Sequence, residues 1–116
     1  MLDFSVEMNE VNGIPIIKIN GEIDVYNAPR LNEFFRSFAD KNHTLIVLNL
    51  DNVQYIDSTG LGTIAQAAYA IAQKNGRIHV ICTRPSIKKI FEVSGLIKKN
   101  ISLYESENSA LMSEVK

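Results

Sequence analysis

The feature that most constrains the fold is a nearly unbroken apolar segment near the middle of the chain, Leu45–Leu50, with the sequence Leu-Ile-Val-Leu-Asn-Leu. A strand with one covered face alternates apolar and polar residues, whereas a strand covered on both faces is apolar at almost every position. Strands of the second kind occur in partly or wholly parallel sheets with helices packed against them. The segment therefore predicts a central strand in an α/β fold.

The residues before this strand indicate a hairpin. Apolar and polar residues alternate from Phe4 to Met8, and Asn12-Gly13 is a typical two-residue turn before the apolar run Ile14–Ile19. Because proline cannot donate a hydrogen bond to a sheet, we expect Pro15 near the start of the second strand or at an edge.

Two further segments have helical spacing. A helix is predicted to begin near Asn27, because the apolar residues that follow recur every three or four positions: Ala28, Leu31, Phe34, Phe35 and Phe38. The phenylalanines are interpreted as core rather than as a ligand pocket. The segment Thr59–Lys74 is rich in alanine and ends at Asn75-Gly76, which is a typical helix stop.

The C-terminal third continues the alternation of strand and helix. Strands are predicted at Arg77–Cys82 and Ile101–Tyr104, and a weak helix at Asn108–Val115. Between the strands, Ser86 is expected to cap a helix that ends at Ser94-Gly95. The core residues expected from this helix are Ile87, Ile90, Phe91 and Val93. The predicted order is β-β-α-β-α-β-α-β-α in one α/β domain, residues 1–116, with a mixed, mainly parallel sheet.

Composition excludes several classes of function. The 12 basic and 13 acidic residues are nearly balanced, so the charge does not favour nucleic acid or an anionic membrane as a partner. The N-terminus lacks the basic start and apolar stretch of a signal peptide, which predicts a cytoplasmic protein. The only cysteine, Cys82, lies in an apolar run and is interpreted as a buried thiol.

The segment Asp57-Ser58-Thr59-Gly60-Leu61-Gly62 is the main candidate site, because it lies between a buried strand and a helix start. In the simple interpretation Asp57 or Ser58 caps the helix, and the glycines permit close packing. In the second, Ser58 is an exposed hydroxyl at a helix N-terminus, where unpaired amides and a partial positive charge favour a phosphate. The two interpretations are compatible. The segment lacks the glycine spacing and the lysine of a Walker loop, so ATP binding by this chain is not expected.

Catalysis and metal binding have little support. Only His43 and His79 could activate Ser58 as a nucleophile; one lies in a polar connection and the other in a strand, so ordinary roles are favoured for both. The carboxylates Asp24, Asp51 and Asp57 come from separate loops, and no spacing predicts that they converge. We therefore expect no enzyme activity, no metal and no cofactor, and a turn or cap role for Asp51.

Four segments resemble anti-sigma-factor antagonists, which are small STAS-domain proteins, in both order and spacing. They are Gly21–Asp24, Ile46–Leu50, Asp57–Gly62 and Pro85–Leu96. The resemblance extends over nearly the whole chain, and the D-S-x-G-L-G element at Asp57–Gly62 is its most specific part.

The resemblance implies a switch controlled by phosphorylation. In that family the serine that matches Ser58 is phosphorylated by the partner, an anti-sigma factor that is also an ATP-dependent serine kinase, and a PP2C-type phosphatase restores it. The unphosphorylated antagonist binds the anti-sigma factor and frees the sigma factor for transcription. The partner-binding residues implied for this chain are Asp24, Asp57, Ser58, Thr59, Gly60 and Leu61.

Three alternatives remain open at this point. Two are interaction modules of the same fold class, a scaffold subunit of a stressosome and the STAS partner of a lipid-transport ATPase, although the latter typically departs from the D-S-x-G-L-G pattern. The third is a ligand-binding or enzymatic domain that uses a pocket around Ser58 and Asp24, which no base, metal cluster or cofactor motif supports.

Overall fold

The computed structural model describes residues 4–39, 41–98 and 100–112 and has the predicted order of elements. The strands are β1 (Ser5–Val11), β2 (Ile14–Ile23), β3 (Leu45–Ile56), β4 (Arg77–Ile81) and β5 (Ile101–Tyr104). The helices are α1 (Ala28–Ala39), α2 (Ser58–Ala72), α3 (Pro85–Ser94) and α4 (Glu107–Met112), with a 3-10 turn at Leu96–Lys98.

The strands form one mixed sheet in the order β1-β2-β3-β4-β5. The first pair is antiparallel, and β2, β3, β4 and β5 run parallel to one another. The apolar run Leu45–Leu50 lies in β3, the middle strand, and all six residues are buried. The prediction of a central strand covered on both faces is confirmed.

The hairpin between β1 and β2 turns at Asn12 and Gly13, whose φ angles are 52° and 80°. Both residues adopt the left-handed conformation that a two-residue hairpin turn requires, which explains the choice of asparagine and glycine. Pro15 is the second residue of β2, as predicted, and the parallel pairing with β3 begins only at Ile16. The missing amide of the proline therefore lies outside that parallel ladder.

The two faces of the sheet are covered unequally. On one face α1, α2 and α3 form the main core, to which they contribute Leu31, Ile64 and Phe91 among others. On the other face the short helix α4 places Ala110 in a small cluster with Ile16, Val47 and Ile81. Because neighbouring residues of a strand point to opposite faces, β2 supplies Ile17 and Ile19 to the first core and Ile16 to the second.

The prediction for α3 is wrong in two details. Ser86 does not cap this helix, because the helix begins one residue earlier at Pro85, with Arg84 at the N-cap position and no side-chain cap bond. Proline is well suited to the first helical position, where its missing amide is not needed. Val93 does not face the core, since its side chain is 74% exposed. Gly95 ends the helix at φ 81°, as predicted.

Some predictions fall outside the described residues. These are the side chain of Phe38 in α1 and positions 113–115 of the predicted last helix. Cys82 is buried as predicted, and burial raises the pKa of its thiol. Within the described ranges, no helix is both long enough and apolar enough to span a membrane.

The one buried histidine, His79, connects β4 to α4. Its Nδ1 lies 2.8 Å from the carbonyl oxygen of Ala110, and its ring lies 4.6 Å from the ring of Tyr104. Burial is the main cause that lowers the pKa of His79, because it disfavours the charged form of the imidazole.

This burial predicts that stability depends on pH. The unfolded chain binds a proton at the ordinary histidine pKa of about 6.5, whereas the folded chain does so only at lower pH. The free energy of unfolding should therefore fall as the pH drops below about 6.5 and level off below the lowered pKa. His79→Gln removes the titrating group. Between pH 7.5 and pH 5.5, the free energy of unfolding measured in urea should therefore fall less for this variant than for the wild type. An equal change in both proteins would contradict this role.

Candidate functional site

The candidate site lies where β2 and β3 end. These strands are parallel neighbours, and their last paired residues are Ile23 and Ile56. Their carboxyl ends meet at one edge of the sheet, so Asp24 and Asp57 follow adjacent strands at the same level. The sequence contained no spacing that predicted this convergence, and only the family resemblance placed Asp24 near Ser58.

The carboxylate of Asp57 binds two separate parts of the backbone. Its Oδ1 accepts a hydrogen bond from the amide of Gly60 at 2.8 Å and so caps α2. Its Oδ2 accepts from the amide of Val25 in the loop after β2, at 3.0 Å. The amide of Asp57 itself donates to the carbonyl oxygen of Ile23 at 3.1 Å. The predicted cap is therefore confirmed for Asp57, and the same side chain also fixes the neighbouring loop.

Asp24 organises the start of α1. Its Oδ1 accepts from the amides of Tyr26 and Asn27, each at 3.0 Å, and its carbonyl oxygen accepts from Ala28 at 2.8 Å. The side chain of Asn27 in turn donates to the carbonyl oxygen of Glu22. The loop from Asp24 to Asn27 is thus held at several points.

The third aspartate considered above serves a different strand end. The turn or cap role predicted for Asp51 is wrong, because the residue lies within β3 and caps none of the described helices. Its Oδ1 accepts from both the amide and the hydroxyl of Thr83, at 3.0 Å each, and so ties β3 to the connection that follows β4. Among the residues that the structure describes, no group of three or more histidine, cysteine, aspartate or glutamate side chains could hold a metal ion.

Gly60 is buried where the first turn of α2 rests on the end of β2. A Cβ built on Gly60 would lie 2.7 Å from Cγ2 of Ile23 and closer still to the Ile23 carbonyl oxygen. Only glycine allows this approach. Gly60 therefore positions the surface around it and contributes little exposed area of its own.

Ser58 and Thr59 occupy the first two positions of α2, and both are exposed. The Ser58 hydroxyl makes no hydrogen bond to any residue within the described ranges. Leu61, one turn along, is partly buried against the main core. The six residues of the predicted partner-binding set thus converge at one edge, where Ser58 and Thr59 are its most accessible members.

Two residues of this edge were missed by the sequence analysis. Val25 and Tyr26 are 53% and 85% exposed, although both carry large apolar side chains. They lie in the loop that the Asp57 carboxylate holds. Large apolar residues in a short connection between a strand and a helix were the available signal, because exposed apolar surface of this kind marks interaction sites. We call the group Asp24–Tyr26 with Ser58 and Thr59 the switch surface.

Neither histidine is placed to act as a base for Ser58. His79 is buried on the α4 side of the sheet, where its Nδ1 contacts the Ala110 carbonyl oxygen. His43 precedes the amino end of β3, whereas Ser58 follows its carboxyl end. The site therefore offers an accessible hydroxyl beside two carboxylates and exposed apolar surface, which is an arrangement for recognition or modification.

Comparisons with known proteins agree with this description. A family model described as the STAS domain matches residues 5–110. The anti-sigma-B factor antagonist of Staphylococcus aureus (strain NCTC 8325 / PS 47) is 30% identical over 95 residues, which cover 82% of this chain and 88% of that protein. The anti-sigma F factor antagonist of Paenibacillus polymyxa is 30% identical over 111 residues, which cover 95% and 94% of the two chains.

Solved structures show the same fold. An anti-sigma factor antagonist from Mycobacterium paratuberculosis superposes with a TM-score of 0.86 at 22% identity, covering 96% of this chain and 93% of that one. The antagonist SpoIIAA in its unphosphorylated form gives a TM-score of 0.73 at 18% identity, covering 97% of both chains. Bacillus SpoIIAA in the phosphorylated form gives 0.72 at 21% identity, covering 96% of this chain and 98% of that one.

The two glycines near the start of α2 should respond oppositely to alanine. Gly60→Ala forces a methyl group against Ile23 and should lower the free energy of unfolding by about 1–3 kcal/mol. Gly62→Ala is the matched control, because a Cβ there meets no atom within 4 Å, and it should raise stability by about 0.5–1 kcal/mol. Urea unfolding of both variants measures the difference. A Gly60→Ala protein as stable as the wild type would show that the close contact with β2 is not required.

Proposed function

The chain belongs to the STAS domain family and, within it, to the anti-sigma factor antagonists, and on that basis we propose that it binds an anti-sigma factor while Ser58 is unphosphorylated. Binding would release the sigma factor for transcription. The proposed partner is also an ATP-dependent serine kinase that phosphorylates Ser58, and a PP2C-type phosphatase would restore the active form. In this scheme the chain is a cytoplasmic ligand and kinase substrate that carries no cofactor of its own.

The observation that carries the proposal is the setting of Ser58. The residue is exposed at the first position of α2, and its hydroxyl has no hydrogen bond within the described part of the chain. A kinase can therefore reach the hydroxyl without opening the fold. The neighbouring apolar side chains of Val25 and Tyr26 supply surface that a bound partner would remove from water.

A phosphate on Ser58 would oppose binding through its charge. It adds about −1.5 to −2 charges at neutral pH beside Asp57, on a surface that already contains Asp24. The positive end of α2 attracts the phosphate by only about 0.3–1 kcal/mol. Burying the same charge in an interface costs several kcal/mol unless the partner pairs it. A net penalty of about 3–4 kcal/mol would weaken binding several-hundred-fold, since each 1.4 kcal/mol is a factor of ten.

The proposed switch acts locally, by repulsion and steric exclusion. The β2–α1 loop and the start of α2 are tied together through Asp57, so a phosphate meets a surface that is already formed. SpoIIAA has the fold of this chain in both its unphosphorylated and its phosphorylated form.

Phosphorylation is tested by incubating the protein with a candidate anti-sigma kinase and ATP, followed by intact mass and site mapping. We expect one added phosphoryl group, about 80 Da, on Ser58. Ser58→Ala should show no gain, whereas Thr59→Ala should be modified like the wild type. A gain that persists in Ser58→Ala would move the site, with Thr59 as the next exposed hydroxyl in α2.

The effect of charge is tested by substitution at Ser58 and measurement of the dissociation constant for the anti-sigma factor. Ser58→Asp places one negative charge on the switch surface and should weaken binding by about tenfold or more. Ser58→Asn, which has nearly the same size but no charge, is the matched control and should bind within about threefold of the wild type. Unchanged affinity in Ser58→Asp contradicts the charge mechanism, and equal losses in both variants would show that size alone decides binding.

A further inference from the structure

A cleft with a volume of about 180 Å³ lies between α1 and α2, away from the switch surface. Its floor is Ile46 of β3, and its apolar walls include Phe35 from α1 and Ala67 and Ala70 from α2. The helical residues Phe35, Ala67 and Ala70 lie in the second halves of α1 and α2. Ser58 is at the opposite end of α2. Nothing in the proposed switching mechanism uses this cleft.

The cleft exists because α2 presents small residues to α1. Ala67 and Ala70 line the cleft between the helices, where a larger side chain would fill the space. The surrounding Phe35, Ile46 and Ile71 are all buried, so the floor and part of the walls belong to the main core and are held in place. A volume of about 180 Å³ exceeds the space that a single water molecule needs many times over, so the cleft is large enough for an alkyl chain of several carbons.

Two cationic side chains border the same cleft. Arg36 lies in the last turn of α1, and Lys74 follows the end of α2 and donates from Nζ to the carbonyl oxygen of Lys41 at 2.9 Å. Their stems add apolar length to the walls, and their charged groups make this border of the cleft cationic. An occupant with an apolar body and an anionic end matches this distribution, whereas a cationic amphiphile would meet repulsion at the opening.

We propose that this cleft binds a medium-chain alkyl carboxylate, with the chain between Ala67, Ala70 and Phe35 and the carboxylate at Arg36. A planar carboxylate can accept two hydrogen bonds from a guanidinium at once, which favours a carboxylate over a neutral alcohol of equal length. Each methylene removed from the ligand should weaken binding about fourfold. A buried methylene contributes about 0.8 kcal/mol, and that free energy corresponds to a fourfold change in the dissociation constant.

The test uses octanoate as the probe and follows amide chemical shifts of the full-length protein. We expect saturable shifts confined to α1, α2 and Ile46. Hexanoate, which has two methylenes fewer, should bind roughly fifteenfold more weakly than octanoate. Octanol should bind less tightly than octanoate. Octanoate that causes no saturable shifts, or shifts centred on other elements, overturns the proposal.

Variants distinguish the apolar and the anionic parts of the site. Ala70→Leu fills the cleft and should weaken octanoate binding at least tenfold. Because Arg36 is exposed, Arg36→Glu should leave the fold intact. This variant should bind octanoate more weakly than the wild type does, and its affinity for octanol should be unchanged. Lys89→Glu, the same charge reversal on the exposed surface of α3, is the control and should bind like the wild type. Equal octanoate affinity in Arg36→Glu and Lys89→Glu would exclude Arg36 as the carboxylate ligand.

A negative result in these experiments would not bear on the proposed antagonist role, because Ser58 does not line the cleft.

Discussion

The switch surface depends on the two hydrogen bonds that the carboxylate of Asp57 accepts. One oxygen closes the first turn of α2, and the other holds the backbone of Val25 in a loop 32 residues earlier in the chain. The two segments can be joined in this way because β2 and β3 are parallel neighbours whose carboxyl ends lie side by side. A single side chain therefore converts two strand ends into one surface.

Close packing reinforces this connection. Gly60 lets the first turn of α2 rest directly on Ile23, and Asp24 fixes the loop that leads into α1. The exposed side chains of Ser58, Val25 and Tyr26 therefore extend from backbone segments that hydrogen bonds and close packing join together. Under the proposed function, this is why one phosphate can control binding: the surface is already built, and only its charge and shape need to change.

Much of the fold was predictable because it depends on local patterns. The apolar run Leu45–Leu50 identified the central strand, and Asn12-Gly13 identified the hairpin turn, since both signals are contained in adjacent residues. The meeting of Asp24 with Asp57 was not predictable from pattern, because it depends on strand order and register. The cap of α3 was mispredicted because Pro85 starts the helix one residue before Ser86. The exposure of Val25 and Tyr26 could not be predicted from the sequence either, because it depends on the hydrogen bond that joins their loop to Asp57.

The central claim is that a phosphate on Ser58 acts on a formed surface without refolding the domain. The most direct measurement is a comparison of amide chemical shifts between the fully phosphorylated and the unphosphorylated protein. We predict changes confined to Asp24–Asn27 and Asp57–Leu61, with the buried residues of β3 and β4 unchanged. Widespread changes in those strands, or in α1 beyond its first turn, would contradict a local switch and point instead to a rearrangement of the core.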